Sequence, residues 1–332
     1  MSQPTPTRPR VLVARRIFPQ VVERLREWLD VSAVEEAHAL AQDALIERLQ
    51  GCAGVFVAGT ERIDAALLDA CPELRAVCSM AVGYNNIDVP ACTARGVMVS
   101  NAPDVLTETT ADFGFALMMA TARRISESER FLRRGEWKEW SVDLFAGSDV
   151  HGATLGVLGM GRIGQAIARR GVFGFGMKLA YHNRSRLPAE TEAELGARYL
   201  SKEDLLREAD HLVLVLPYSP ASHHTIGAAE LALMKPTATL TNVARGGIVD
   251  DAALAVALRE KKIAAAGLDV YEGEPSVHPD LLTVPNVVLT PHIASASVPT
   301  RMAMCNLAAD NLIAVLTGGK PPTPLNPEVL AR

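Results

Sequence analysis

Residues 157–173 read VLGMGRIGQAIARRGVF, and this stretch decides the fold of the chain. It carries the pattern G-x-G-x-x-G as Gly159, Gly161 and Gly164, between an apolar run that predicts a buried strand and apolar residues at helical spacing. In that context the glycines permit a tight turn, the approach of a pyrophosphate to the backbone, and close helix packing. The helix N-terminus adds free N–H groups and a partial positive charge. We predict a dinucleotide site here, with a plain structural turn as the alternative.

The composition indicates a folded chain of about two domains. It has 332 residues, of which 48% are hydrophobic and 21% charged, and a net charge of −5. Because no run rich in lysine or arginine stands out, a nucleic-acid partner is not expected. The longest apolar stretch, residues 113–122, is too short to cross a bilayer. Residues 1–10 lack the apolar core of a secretion signal and predict a flexible polar tail.

The cysteines and histidines show no metal or disulfide pattern. None of the five cysteines forms a C-x-x-C pair, and all lie in apolar surroundings. Buried free thiols in a reducing cytoplasm are the simplest interpretation. His223 and His224 are adjacent, which suits neither one helix face nor one strand face, so we predict that they are not ligands and that the chain holds no metal.

Strands and helices alternate along the chain, which predicts parallel βαβ units in two successive series. The first series has predicted strands at 11–13, 54–57, 76–79 and 97–99, and the second at 155–158, 178–181, 212–216, 239–242, 264–268 and 287–289. Helices are expected at 21–29, 107–123, 251–261 and 299–316. Residues 126–148 are polar and predict a loop or an arm.

The loop after the second strand of the second series indicates the cofactor. NAD-binding folds place an acidic residue about 20 residues beyond the glycines, where it binds the ribose 2′-hydroxyl. Here Asn183 stands at that position, with Arg184 and Arg186 beside it. Since a guanidinium matches a phosphate, the loop favours NADP(H), with NAD(H) as a second cofactor. A solvated basic loop is the alternative.

Three further loops at predicted strand ends carry polar residues that the fold alone does not require. They contain Arg245, Glu274 and His292. An imidazole suits proton transfer near neutral pH, and a carboxylate beside it would orient the ring and hold it protonated. Arg245 could bind a substrate carboxylate and polarise a carbonyl. Taken singly, the three have ordinary alternatives: a surface arginine, a loop carboxylate and a turn histidine.

Together these motifs resemble those of a known family, the D-isomer-specific 2-hydroxyacid dehydrogenases. The motifs that carry the resemblance over nearly the whole chain are GMGRIG (159–164), NVARG (242–246), GLDVYEGEP (267–275) and PHIA (291–294). Within the family it is most similar to the glyoxylate/hydroxypyruvate reductases, including the 2-ketogluconate reductase branch, through VGYNNID (82–88), NAP (101–103), LTETTAD (106–112), GEW (135–137) and DVHG (149–152). Ala244 and Ala294 depart from the usual residues, but both are small.

The resemblance implies an α/β fold of two doubly wound parallel-sheet domains. Residues 104–295 would form a Rossmann dinucleotide-binding domain, and residues 1–103 with 296–332 a flavodoxin-like substrate domain. It also implies a homodimer assembled through the nucleotide domain, in which Trp140 reaches the partner's active site.

The resemblance further implies the role of each site residue. Arg245, Glu274 and His292 would be catalytic, and the amides of Val82 and Gly83 would hold the substrate carboxylate. The implied cofactor residues are Thr110, Gly159, Gly161, Arg162, Ile163, Gly164, Asn183, Arg184, Ser185, Pro217, Ala244, Asp269 and Ala294. Asp269 would lie near the nicotinamide carboxamide.

We therefore expect a cytoplasmic reductase of small 2-keto acids that prefers NADPH. Glyoxylate, hydroxypyruvate and 2-ketogluconate are the candidate substrates. A dehydrogenase of another D-2-hydroxyacid, or one of the phosphite type, is the first alternative. A dinucleotide-sensing binding protein is the second, because a fold does not fix a function.

Overall fold

The structure is a computed structural model that describes residues 8–331. The chain divides into two compact units. One joins the residues up to Leu106 with those from Ser297 onward, and the other spans Thr107–Ala296. Residues 1–7 of the predicted tail lie outside the described residues, whereas Arg10 already begins the first strand. No helix in the described part of the chain is both long and apolar enough to span a membrane.

Residues 8–331 form twelve strands and twelve α-helices, numbered in chain order. The strands are β1 (Arg10–Val13), β2 (Asp30–Ala33), β3 (Gly54–Val57), β4 (Ala76–Ser79), β5 (Met98–Ser100), β6 (Thr154–Leu158), β7 (Lys178–His182), β8 (Ala197–Tyr199), β9 (His211–Leu214), β10 (Thr239–Asn242), β11 (Ala265–Leu268) and β12 (Val287–Leu289). The helices are α1 (Pro19–Arg26), α2 (Gln42–Leu49), α3 (Ala65–Ala70), α4 (Val89–Ala94), α5 (Thr107–Ala122), α6 (Ile125–Arg133), α7 (Arg162–Arg169), α8 (Ala189–Leu195), α9 (Lys202–Glu208), α10 (Ala228–Leu231), α11 (Asp251–Arg259) and α12 (Val298–Leu316).

The first unit is built on a five-stranded parallel sheet in the order β2-β1-β3-β4-β5, which is the flavodoxin-like order. Its central strands are short apolar runs because helices cover both faces. α12 packs on β3 and β4 although it follows them by some 200 residues. α12 packs closely against β3 at Gly54. A Cβ on this glycine would lie only 2.7 Å from the side chain of Leu312 and 2.9 Å from that of Leu316.

The second unit contains a seven-stranded parallel sheet in the order β12-β11-β10-β9-β6-β7-β8. The chain starts in the middle at β6, builds outward to β8, and then returns to β9 on the other side. This is the Rossmann arrangement, in which ligands bind beyond the carboxyl ends of the strands where the order reverses. The glycine pattern directly follows β6 and therefore lies at that reversal. Both predicted sheets, parallel and doubly wound, are confirmed.

Three elements differ from the prediction. The segment predicted as a loop or arm begins with α6, which buries no residue and is so rich in polar residues that its sequence resembles a loop. Ion pairs of Arg124 with Glu127 and of Arg133 with Glu129 support this helix instead. The edge strands β2 and β8 were not predicted, since their half-exposed residues do not form apolar runs.

Candidate active site

The glycine turn after β6 has the geometry that a pyrophosphate requires. Gly159 has a φ of +103°, and a Cβ there would lie 2.6 Å from the backbone of Leu216. A Cβ on Gly164 would lie 2.4 Å from the carbonyl oxygen of Gly159, so α7 can pack against the turn only with glycine there. By contrast, a Cβ on Gly161 would meet no atom within 4 Å, which leaves this face of the turn open. These features fit a bound dinucleotide.

One buried polar atom on α5 also fits a bound ligand. Thr110 is only 5% exposed, and its Oγ1 has no hydrogen-bond partner among the described residues. Because burying a hydroxyl without a partner costs free energy, such atoms usually receive a partner from a ligand or water. Thr110 is among the residues predicted to contact the cofactor.

The loop after β7 is tied to the glycine turn through Asn183. The Asn183 Oδ1 accepts a hydrogen bond of 2.6 Å from the backbone N–H of Met160, inside the turn. Arg184 and Ser185 are exposed. Arg184 makes no hydrogen bond or ion pair with any described residue. Its guanidinium is therefore available to an anion.

The sequence predicts that both arginines of this loop are available to a phosphate, but Arg186 pairs with a carboxylate instead. It forms a two-pronged ion pair with Glu192 of α8, at 2.9 Å through Nε and 2.7 Å through Nη2. The buried Tyr181 donates its hydroxyl to the same carboxylate at 2.5 Å. Both partners lower the pKa of Glu192, with Arg186 the larger cause. Sequence reasoning missed Glu192 because it lies on the next helix.

The catalytic candidates follow the carboxyl ends of three neighbouring strands, β10, β11 and β12. His292 Nδ1 and Glu274 Oε2 are 2.7 Å apart. The second oxygen of Glu274 accepts the backbone N–H of Tyr271 at 2.9 Å. Burial would raise the pKa of Glu274, but His292, Tyr271 and Arg245 together hold it below its usual range. The carboxylate is therefore ionised and fixed toward the imidazole.

Arg245 lies on a loop that is held against the Glu274 loop. Asn242 at the end of β10 accepts the N–H of Ala244 at 3.0 Å and donates to the carbonyl of Arg245 at 3.2 Å. A Cβ on Gly246 would lie 1.7 Å from the carbonyl oxygen of Tyr271, so the two loops touch. Burial lowers the pKa of the Arg245 guanidinium and the charge of Glu274 opposes that shift. It remains a cation, since arginine does not deprotonate in proteins.

Asp269 holds the turn that presents His292. Its carboxylate is fully buried and accepts hydrogen bonds from the hydroxyl of Thr290 at 2.7 Å and from the backbone N–H groups of Ile293 and Ala294, both at 2.8 Å. His292 itself lies in the left-handed region, with a φ of +53°. No sequence pattern predicts this supporting role, and the predicted contact of Asp269 with the nicotinamide stays a prediction.

The remaining predicted residues lie as follows. Arg162 and Ile163 form the first turn of α7, Pro217 follows β9, and Ala294 is buried in the turn after His292. Val82 and Gly83 follow β4 in the first unit, where Asn101 donates to the carbonyl of Val82 at 2.7 Å. Trp140 lies beyond α6 and is 76% exposed. The structure therefore brings Arg245, Glu274 and His292 together within one unit.

Comparison with known proteins gives one consistent result. A sequence model described as "D-isomer specific 2-hydroxyacid dehydrogenase, NAD binding domain" matches residues 115–294. A glyoxylate reductase of Thermococcus onnurineus is 47% identical over 327 residues, which is 97% of each chain. Another glyoxylate reductase, from Aeropyrum pernix, is 47% identical over 329 residues, again 97% of each chain.

The solved structures agree. An NADPH-dependent glyoxylate/hydroxypyruvate reductase from Sinorhizobium meliloti, in complex with NADP and malonate, superposes with a TM-score of 0.84. It is 39% identical, over 96% of this chain and 97% of that one.

Proposed function

This chain belongs to the D-isomer specific 2-hydroxyacid dehydrogenase family and is a nicotinamide-dinucleotide-dependent oxidoreductase, and from that premise we propose that it reduces small 2-keto acids to D-2-hydroxy acids. Glyoxylate and hydroxypyruvate are the proposed substrates, because its relatives are named for them. 2-Ketogluconate is a third candidate. The observation that carries the proposal is the hydrogen bond of 2.7 Å between His292 and Glu274.

His292 is the proposed acid. Since Nδ1 faces Glu274, Nε2 is the ring nitrogen left to carry a proton toward the substrate oxygen. The ionised Glu274 stabilises the imidazolium and fixes the ring orientation. The nicotinamide, when bound, supplies the hydride that this proton complements. The protein therefore contributes positioning and charge.

Arg245 is the proposed anchor for the substrate carboxylate. Its guanidinium offers several N–H donors in one plane, which match a carboxylate and can also polarise the adjacent carbonyl. We propose the backbone N–H groups of Val82 and Gly83 as further donors to the carboxylate. Both residues follow a strand end of the first unit, where doubly wound sheets bind their ligands.

The direct test is oxidation of NADPH and NADH with glyoxylate, hydroxypyruvate and 2-ketogluconate in parallel. The expected result is rapid turnover of NADPH with glyoxylate or hydroxypyruvate. Cofactor binding without turnover on any of the three would contradict the proposal, and would favour a dehydrogenase of another acid or a dinucleotide sensor.

We propose that NADPH is preferred and that Arg184 binds the 2′-phosphate. Arg184→Ala is expected to raise the KM for NADPH by about 10- to 100-fold, since a charge-assisted hydrogen bond contributes about 1.5–3 kcal/mol. The KM for NADH should stay within about twofold. Arg186→Ala is the matched comparison: Glu192 already pairs with Arg186, so its effect should be smaller. An equal loss of NADPH and NADH binding in Arg184→Ala would contradict this role.

We also propose a homodimer formed through the second unit. Beyond α6 the side chains of Trp140 and Val142 are 76% and 86% exposed, and Trp137 is exposed beside them. A cavity of about 450 Å³ is lined by Phe131 and Phe145, together with residues before β12. Large apolar side chains exposed in one segment are the basis of this proposal, since exposed apolar patches often mark an interface.

Sedimentation equilibrium is expected to give twice the chain mass of 35.6 kDa. The double variant Trp140→Glu, Val142→Asp should lower that mass toward one chain, because charges at an apolar interface are left without partners. The control is Trp28→Ala, at an exposed tryptophan of the first unit, which should not change the mass. A monomeric wild-type protein would rule out the dimer.

A further inference from the structure

Two imidazoles and a carboxylate meet in the second unit, apart from the catalytic pair. His224 Nε2 lies 2.8 Å from one oxygen of Glu272, and His223 Nε2 lies 3.9 Å from the other. One ligand atom from each of the three residues lies within 4.8 Å of the other two. The sequence predicts that these adjacent histidines are not ligands, but the structure brings both rings to one carboxylate. The reason is a left-handed φ of +49° at His224, which turns both rings to one side, where they stack 3.8 Å apart.

The outer nitrogens of both rings also face polar groups. His223 Nδ1 is 3.3 Å from the hydroxyl of Tyr218, and His224 Nδ1 is 3.9 Å from a carboxylate oxygen of Asp250. Both Nε2 atoms are thereby directed toward Glu272. A histidine that binds a metal through one nitrogen usually has a carboxylate or another polar group at the other nitrogen, which fixes the ring.

The backbone around the cluster is also fixed. His224 N–H donates to the carbonyl of Gly247 at 2.7 Å, and Glu272 N–H donates to Asp251 at 3.1 Å. A Cβ on Gly247 would lie 3.2 Å from the ring of His223, so the glycine leaves room for that imidazole. The three side chains thus project from anchored loops after β9 and β11.

We propose that His223, His224 and Glu272 form a binding site for a divalent transition metal of the zinc type, with water completing the coordination. Imidazole and carboxylate ligands suit Zn²⁺, Ni²⁺ and Cu²⁺, whereas Mg²⁺ and Ca²⁺ take oxygen ligands. Zinc bonds of about 2.0–2.2 Å require the ligand atoms to stand about 3.4 Å apart. All three side chains are between 36% and 44% exposed, so the stacked rings can rotate apart to reach that spacing.

The test is calorimetric titration of the full chain, stripped of metal with EDTA, with ZnCl₂ and separately with MgCl₂. The expected result is one Zn²⁺ bound per chain and no Mg²⁺ binding at the same concentrations. His224→Ala and Glu272→Gln should each weaken Zn²⁺ binding by at least about tenfold, since even the loss of an outer-shell partner costs about 10- to 100-fold. The control His151→Ala removes an exposed histidine elsewhere and should bind Zn²⁺ like the wild type.

The pair of His292 and Glu274 could also bind Zn²⁺. The variant His292→Ala distinguishes that site from the proposed one. Our proposal expects unchanged Zn²⁺ binding in His292→Ala. Loss of binding there, unchanged binding in His224→Ala, or no Zn²⁺ binding by the wild type would each overturn it. The buried cysteines are poor competitors. Electron paramagnetic resonance with Cu²⁺ gives a second readout: coupling to two imidazole nitrogens in the wild type and to one in His223→Ala.

Discussion

His292→Asn is expected to lower kcat for glyoxylate reduction by about 100- to 10,000-fold, the usual contribution of a general acid. Asparagine is the right replacement because it tolerates the left-handed backbone found at residue 292, where φ is +53°. Its amide can still reach Glu274, so the turn held by Asp269 should persist. The substitution removes the imidazole and with it the proton that Nε2 would donate to the substrate.

The measurement is steady-state kcat and KM with NADPH, together with the Kd of NADPH by fluorescence. The Kd is expected to change by less than about threefold, because the glycine turn and the Arg184 loop lie elsewhere in the unit. Glu274→Gln should give a smaller loss than His292→Asn, since the imidazole remains but loses the charge that stabilises its protonated form. His151→Asn, at an exposed position, should leave both constants unchanged. A kcat within tenfold of the wild type in His292→Asn would remove this residue from the mechanism.

Arg245→Lys is expected to lower kcat/KM for glyoxylate by about 100- to 1,000-fold. The lysine keeps the positive charge beside Glu274 but cannot make two parallel hydrogen bonds to a carboxylate, each of which contributes about 1.5–3 kcal/mol. Because the charge is kept, the pairing of His292 with Glu274 should survive. The defect should therefore appear mainly as a raised KM for the keto acid.

Kinetics with a substrate that lacks the carboxylate separates binding from chemistry. Wild type and Arg245→Lys should reduce a simple aldehyde at similarly low rates, because neither can use the anchor. If Arg245→Lys kept the wild-type KM for glyoxylate, the arginine would not bind the substrate carboxylate. A fall in kcat alone would instead indicate a role only in the transition state.

The sequence predicts most of the fold because the informative signals are local. Strands such as β3 and β6 are mostly apolar runs, and the turn after β6 needs glycines at fixed spacing. The edge strands β2 and β8 lack such runs because one side faces solvent. α6 is rich in charged residues and buries none of its side chains, so its sequence resembles a polar loop.

For the candidate site, the sequence predicts Arg245, Glu274 and His292 but not the hydrogen bonds and ion pairs that hold their loops. Arg245, Glu274 and His292 each follow a strand, and strand ends of a parallel sheet share one edge. The buried bonds of Asp269, the pairing of Arg186 with Glu192, and the meeting of His223 with Glu272 join loops distant in sequence. The spacing of residues in the sequence does not predict such contacts, since they depend on the conformation of each loop.

The packing of α12 on β3 and β4 has a consequence for the order in which the chain folds as the ribosome makes it. Leu312 and Leu316, which fill the space beside Gly54, are synthesised more than 250 residues after that glycine. Asn326, which bonds to the backbone of Val97 and Val99, emerges later still. Thr107–Ala296, by contrast, is one continuous stretch and can fold as soon as it leaves the exit tunnel. Nascent chains should therefore gain the Rossmann unit first and carry a five-stranded sheet that lacks its α12 cover until that helix has been synthesised.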